Sequence, residues 1–227
     1  MYSGIEAVKA MRILQVLAIA ALAAAGAARA GTIDVRIVDG HGAPVADAVV
    51  VAVPAAGLPP LPARPRVEIV DQVDKEFVPR VKPILRGSLV QFPNKDNIRH
   101  QVYSFSPAKN FELPLYAGTP ASPVTFDKPG VVTLGCNIHD WMVGYIYVAE
   151  SPYFAKTGAD GKATIANVPD GAYTVRAWHP QMSADESQTA RRLTVGGDGR
   201  AAADWSLALK PEIRIPRAPD ADTGGPY

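Results

Sequence analysis

Among its 227 residues the chain has one cysteine, so a disulfide within a single copy is excluded. It has almost no excess of either charge: 23 Lys and Arg against 22 Asp and Glu leave a net charge of +1. That balance excludes the strong one-signed field with which a protein attracts nucleic acid. Heptads of apolar residues are missing, which excludes a helical bundle or coiled coil. No Ser/His/Asp order, Gly-rich phosphate loop or carboxylate pair with a defensible catalytic arrangement is found, and an enzyme is not expected.

What is present after residue 31 is a series of short β-branched runs punctuated by Gly and by 21 prolines. Such spacing predicts an all-β protein of sandwiches or barrels. Ile33, Val35 and Ile37 alternate with polar residues as a half-buried strand does. The turn Asp39-Gly40-His41-Gly42 and the apolar run Val45–Val53 then read as the rest of a hairpin. Prolines crowd residues 54 to 66 and mark a linker. Strands are expected at 67–70, 77–85, 89–92, 101–105, 124–126, 131–134 and 143–148, with 106–123 as a long irregular connection. Beyond Ser151-Pro152, strands are expected at 163–165 and 173–178, with 193–195 and 205–209 as a closing pair.

The first thirty residues differ in character. Met11-Arg12 precedes an apolar stretch that ends in Ala28-Arg29-Ala30, the layout of a cleavable secretory signal whose apolar part is short for a membrane span. Residues 1 to 10 lack that character, and Met11 is an alternative start. Export to the periplasm, a mature chain from Gly31 and no stable membrane span after cleavage are the expectations. In an oxidising compartment an unpaired thiol calls for a task.

The stretch Cys136-Asn137-Ile138-His139-Asp140-Trp141-Met142 supplies one. It puts a thiolate, an imidazole and a thioether on one loop between two apolar runs, Val131–Leu134 and Val143–Val148. Thiolate, two imidazoles and a weak axial thioether are the ligands of a blue-copper electron-transfer site. His100, after the polar loop Pro93–Asn97, is the candidate for the second imidazole. Cys136 as a small buried hydrophobe and Met142 as a core residue are the plain alternatives. Zinc would suit Cys and two His but not Met.

With His100 upstream, this run resembles the cupredoxins, and the two-residue spacing from His139 to Met142 is most similar to the amicyanin type. The resemblance covers residues 66 to 150. It implies a Greek-key β-sandwich that holds one type 1 copper ion through His100, Cys136, His139 and Met142. Asn94, six residues before His100, would tie the two ligand loops together. The implied role is a periplasmic carrier of single electrons, of the kind labelled methylamine-utilisation protein. Its partners would be redox proteins of dehydrogenase, cytochrome c or oxidase type. His139 would lie at the surface as the electron's exit, and Trp141 would belong to a transient apolar docking rim. Asp140 stands where amicyanins have proline.

A second resemblance lies on the flanks. Asp39-Gly40-x-Gly42-x-Pro44-Val45-x-x-Ala48, and later Thr157-x-x-Asp160-Gly161-x-x-x-Ile165-x-x-Val168-Pro169, are similar to the carboxypeptidase-regulatory, transthyretin-like β-sandwich. The arrangement this implies is a signal peptide (1–30), a first hairpin (31–57), an inserted cupredoxin (66–150), the remainder of the outer sandwich (151–212) and a loose tail (213–227). Two other roles stay open: a periplasmic copper storage or delivery protein, and a cell-surface binding module whose metal motif is vestigial.

Overall fold

A computed structural model describes residues 30–212 except 121 and 198. The expected signal peptide and loose tail lie outside the described residues, apart from Ala30. In chain order come β1 (Ala30–Asp39) and β2 (Val49–Pro54). Then follow β3 (Val67–Ile69), β4 (Asp71–Val73), β5 (Glu76–Val78), β6 (Val81–Leu85) and β7 (Ser88–Gln91). Next are β8 (His100–Ser106), β9 (Lys109–Tyr116), β10 (Val124–Phe126), β11 (Gly130–Leu134) and β12 (Gly144–Ala149). The last passage holds β13 (Tyr153–Lys156), β14 (Lys162–Pro169), β15 (Gly171–Trp178), β16 (Arg191–Val195) and β17 (Arg200–Leu207), with a 3-10 turn at Glu186–Thr189. The fold is all-β, and no helix of the described residues is long and apolar enough to cross a membrane.

Among the described residues the apolar side chains gather into two cores and a seam. The first core packs sheet β14-β1-β17 onto sheet β13-β2-β15-β16, with Ile33, Val35 and Ile37 facing Val50, Ala52, Val175 and Ala177. The second core contains Val70, Phe92, Phe126, Leu134, Ile146 and Cys136. It lies between sheet β10-β7-β3 and a sheet in which β6, β12 and β11 continue through a Tyr103–Gly135 bridge to β8 and β9. The seam joins the two sandwiches: Val49 and Val51 of β2 meet Val81, Tyr147 and Ala149. β2 is therefore buried on both faces, which is why Val49–Val53 is a continuous apolar run while β1 alternates. Polar groups at this edge are paired, with Tyr147 donating to Glu186 and Arg176 bridging Glu150 and Glu186.

Three expectations are corrected. β1 and β2 do not form a hairpin; β1 pairs with β14 and β17, and β2 with β13 and β15. The Asp39 turn carries the chain from one sheet to the other. Residues 106–123 are not irregular throughout, because Lys109–Tyr116 forms β9 antiparallel to β8. β9 pairs on one side only, which is where a strand tolerates Pro114. Finally, β16 and β17 do not close on each other: β16 pairs with β15, and β17 runs parallel to β1.

The two turn-rich passages far apart in sequence meet in space. Buried Thr157 accepts from the Ala48 N–H at 2.9 Å and donates to the Val45 carbonyl at 2.7 Å. Gly161 completes the turn with φ +69°, and a Cβ there would press onto the Ile37 carbonyl oxygen. Gly161→Ala is expected to cost about 2–4 kcal/mol, the sum of left-handed backbone strain and overpacking. A urea-unfolding midpoint equal to wild type would contradict this.

His179 follows β15 and faces an open cleft beside the seam, near Asp47, Arg80 and Gln181. Burial holds its imidazole below the ordinary range, although Asp47 pulls the other way. A depressed folded-state pKa means stability that is present above the unfolded value of about 6.5 and is lost as pH falls through the folded value. The Tm of wild type should thus drop further than that of His179→Gln between about pH 7.5 and about pH 5. Equal drops would contradict the assignment.

Candidate metal centre

The centre is built from two loops that leave neighbouring strands. Cys136 follows β11, and the chain turns at once, with the Met142 N–H donating to the His139 carbonyl at 2.9 Å. The next strand starts at Gly144, where a Cβ would lie 2.8 Å from Phe77. His100 opens β8, which is held beside the cysteine loop by paired Tyr103–Gly135 backbone bonds of 3.0 and 3.1 Å.

This registry brings His100, Cys136 and His139 together. Each offers one donor atom, all three lie within 4.8 Å of one another, and all three residues are buried. The Nδ1 atoms of His100 and His139 are each 3.9 Å from the Cys136 Sγ. Their rings stand 4.9 Å apart at 59°. A separation of 3.9 Å is long for a strong hydrogen bond. It is the span of two metal–donor bonds of roughly 2.0–2.3 Å meeting at a wide angle. A thiolate and two imidazoles around one point fit copper by their chemistry. Met142 is buried in the same apolar cluster as Cys136.

The electrostatics favour the metal-ready form of the thiol. Burial raises the proton affinity of Cys136, but His100 and the backbone N–H groups of Gln101 and Ile138 outweigh it and hold the thiol below its ordinary value. Burial works against a charged His100, yet the sulfur of Cys136 and the carboxylate of Asp96 hold its proton affinity above the usual range. His139 is pushed down by burial, with help from the charges of His100 and Lys75. A thiolate beside a neutral His139 is the state a metal ion binds.

Asp96 is the site residue that sequence reasoning missed. Its carboxylate lies 2.7 Å from the His100 Nε2 and accepts the backbone N–H groups of Asp74 and Lys75 at 2.7 and 2.9 Å. The hairpin of β4 and β5 is thereby latched onto the residue that orients a ligand imidazole. Asp74 and Lys75 both have positive φ, which aims their N–H groups at Asp96. The available signal was a carboxylate four residues before a candidate ligand histidine.

Asn94 is buried and donates to the Ile98 and Tyr116 carbonyls, while its Oδ1 accepts from the Asp96 N–H. These bonds brace the His100 loop internally and against β9; they do not reach the Cys136 loop. His139, expected at the surface, keeps 8% exposure because Trp141 lies over it at 5.1 Å between ring centroids. The Trp141 Nε1 is buried and has no hydrogen-bond partner among the described residues. Beside it Ile138 is 49% exposed, and Asp140 points to solvent.

No family model matches the chain, and no curated protein matches it. Several solved structures are similar to part of it. A purple cupredoxin from Nitrosopumilus maritimus shares 22% identity over 37% of this chain and 99% of that one, with a TM-score of 0.32. A copper(I) amicyanin variant shares 17% over 43% and 97%, with a TM-score of 0.34. A copper-containing nitrite reductase from Thermus scotoductus shares 30% over 51% of this chain and 28% of that one, with a TM-score of 0.35.

Proposed function

We propose that this chain is a type 1 copper protein that carries single electrons between redox partners. One observation carries the reading: two imidazole Nδ1 atoms each 3.9 Å from the only thiol, in a buried cluster. A bound copper ion would supply a one-electron couple between copper(I) and copper(II).

The residues of the chain do the rest. Cys136, His100 and His139 would hold the ion through one thiolate and two imidazoles, and Met142 would add a weak thioether donor. Asp96 orients His100, and the Tyr103–Gly135 pair keeps the two loops at fixed spacing. A site that moves little between oxidation states exchanges electrons quickly. Burial keeps water from the thiolate and from oxidation of the sulfur.

On this reading residues 66–150 are a cupredoxin set into an outer sandwich of carboxypeptidase-regulatory type, formed by 31–57 and 151–212, in a periplasmic protein. The partners are redox proteins of dehydrogenase, cytochrome c or oxidase type. They dock transiently at the Ile138–Trp141 rim, with an interface below about 1,200 Å². Reversible cyclic voltammetry of the copper-loaded protein, together with retention of copper(I) against a bathocuproine chelator, is the expected result. Surrender of copper(I) to the chelator without reversible cycling would favour storage or delivery instead.

A further inference from the structure

The proline-rich passage between β2 and β3 has no part in the copper reading. It runs Leu58-Pro59-Pro60-Leu61-Pro62-Ala63-Arg64-Pro65-Arg66. A proline ring fixes its own φ at about −65°, and the residue before a proline is confined to extended backbone. Pro59, Pro60, Pro62 and Pro65 fall under the first rule, and Leu58, Leu61 and Arg64 under the second. The regular form open to such a chain is the polyproline II rod, with three residues per turn and no internal hydrogen bonds. No helix or strand lies between Pro54 and Val67, and no residue from Leu58 to Pro65 is hydrogen-bonded to another described residue. Both ends are nonetheless held. The Ala55 N–H donates to the Ala172 carbonyl of the outer sandwich at 2.8 Å, and the Arg66 carbonyl accepts from the Leu89 N–H at 2.8 Å. The passage is a tethered rod rather than a free linker.

Its side chains are ordered by the same period. At three residues per turn Leu58 and Leu61 share one edge, Pro59 and Pro62 the next, and Pro60 and Ala63 the third. Every residue from Ala55 to Val67 is exposed except Pro59, which is half-buried. Leu58 and Leu61 keep 40% and 41% exposure, and Leu61 rests beside Gly87. The chain bends at Ala63 and Arg64, where the rod ends. Arg64 and Arg66 lie at that end, exposed and without a carboxylate partner among the described residues. A spacer needs stiffness alone. Two Leu-Pro pairs one turn apart, followed by two uncompensated guanidiniums, add an apolar edge and a charged end.

We infer that Leu58–Arg66 is a docking segment for a protein domain whose groove is lined with aromatic rings and bounded at one end by acidic side chains. Such grooves accept polyproline II ligands because the rod is already stiff and loses little entropy on binding. Leu58-Pro59 and Leu61-Pro62 fill two successive slots between the rings. Arg64 meets the acids, and this charge-assisted contact sets the direction in which the rod lies. The two bonded ends keep the segment in place before the partner arrives.

The test is an NMR titration of an isotope-labelled SH3 domain, of the type that reads Pro-x-x-Pro-x-Arg, with the full chain. Saturable shifts confined to its aromatic groove and acidic loop are the expected result. Arg64→Glu should weaken binding about tenfold or more, the loss of one charged contact. Pro59→Ala combined with Pro62→Ala should weaken it comparably, with the circular dichroism of the chain unchanged. Ala63→Gln, on the edge turned away from the groove, should bind within about twofold of wild type. No saturable shift, shifts outside the groove, or an Arg64→Glu affinity equal to wild type overturns the proposal and leaves the segment a spacer. Copper plays no part in this titration, so its failure and the failure of the copper reading are separate results.

Discussion

Asp96→Ala is expected to weaken copper binding by about ten- to a hundredfold, the usual consequence of removing the group that orients a metal-bound histidine. The wild-type carboxylate serves three donors at once: the His100 Nε2 at 2.7 Å, the Asp74 N–H at 2.7 Å and the Lys75 N–H at 2.9 Å. Alanine removes the group that fixes the His100 imidazole and releases the hairpin of β4 and β5. Asp96→Asn keeps the volume but can satisfy only part of the set, so its loss should fall between those of wild type and alanine. The carboxyl of Asp96 is held below its ordinary value, since the Lys75 and Asp74 N–H groups and His100 together outweigh the effect of burial. The stability it contributes is present above about pH 3.8 and is lost as pH falls through the depressed value. Competition titration against a copper chelator near neutral pH measures the affinity. Equal affinities for wild type and Asp96→Ala would show that the carboxylate does not position His100.

Cys136→Ser should abolish the intense visible absorption of the copper(II) form altogether, because that colour comes from the copper–thiolate bond. Serine keeps nearly the same shape among Leu134, Met142 and Phe92. The fold should survive, with a stability change of about 1 kcal/mol. The N–H groups of Gln101 and Ile138 that face the sulfur would then face a hydroxyl oxygen. An alkoxide is not available at neutral pH, and a hydroxyl is a poor ligand for copper(I). A variant that stayed blue would mean that the chromophore lies elsewhere in the chain. Circular dichroism separates loss of the site from loss of the fold.

What could be read from the sequence was largely local. The donors of Cys136, His139 and Met142 stand within seven consecutive residues, so one loop between two strands sufficed to place them near each other. Alternation in β1 and the continuous run in β2 were equally legible, but their consequence was misread. A strand with one buried face followed by a strand with two buried faces does not have to be a hairpin. The Asp39 turn in fact hands the chain from the outer sheet to the seam, and the partners of both strands lie more than a hundred residues away. β9 was obscured by Pro114 and by the glycine and proline after it, although Phe111 and Leu113 alternate as edge-strand residues do.

The role of Asp96 was hidden for a different reason. Its partners are backbone N–H groups of Asp74 and Lys75, and backbone donors leave no mark in a residue pattern. The covering of His139 by Trp141 also depends on a side-chain direction that loop spacing does not encode. Asn94 was picked out by resemblance, yet its bonds run to Ile98 and Tyr116 rather than across to the cysteine loop. Tyr103 and Gly135 form a pair legible only in space, since the glycine's missing side chain is the site of the tyrosine ring.

The most direct measurement is the absorption and paramagnetic-resonance spectrum of the purified protein as copper(II) is added. The account predicts one equivalent of copper, an intense band in the orange-to-red region and a narrow copper hyperfine splitting, with the single thiol protected from alkylation. A colourless protein whose Cys136 still reacts fully with a thiol reagent after copper is added would contradict it.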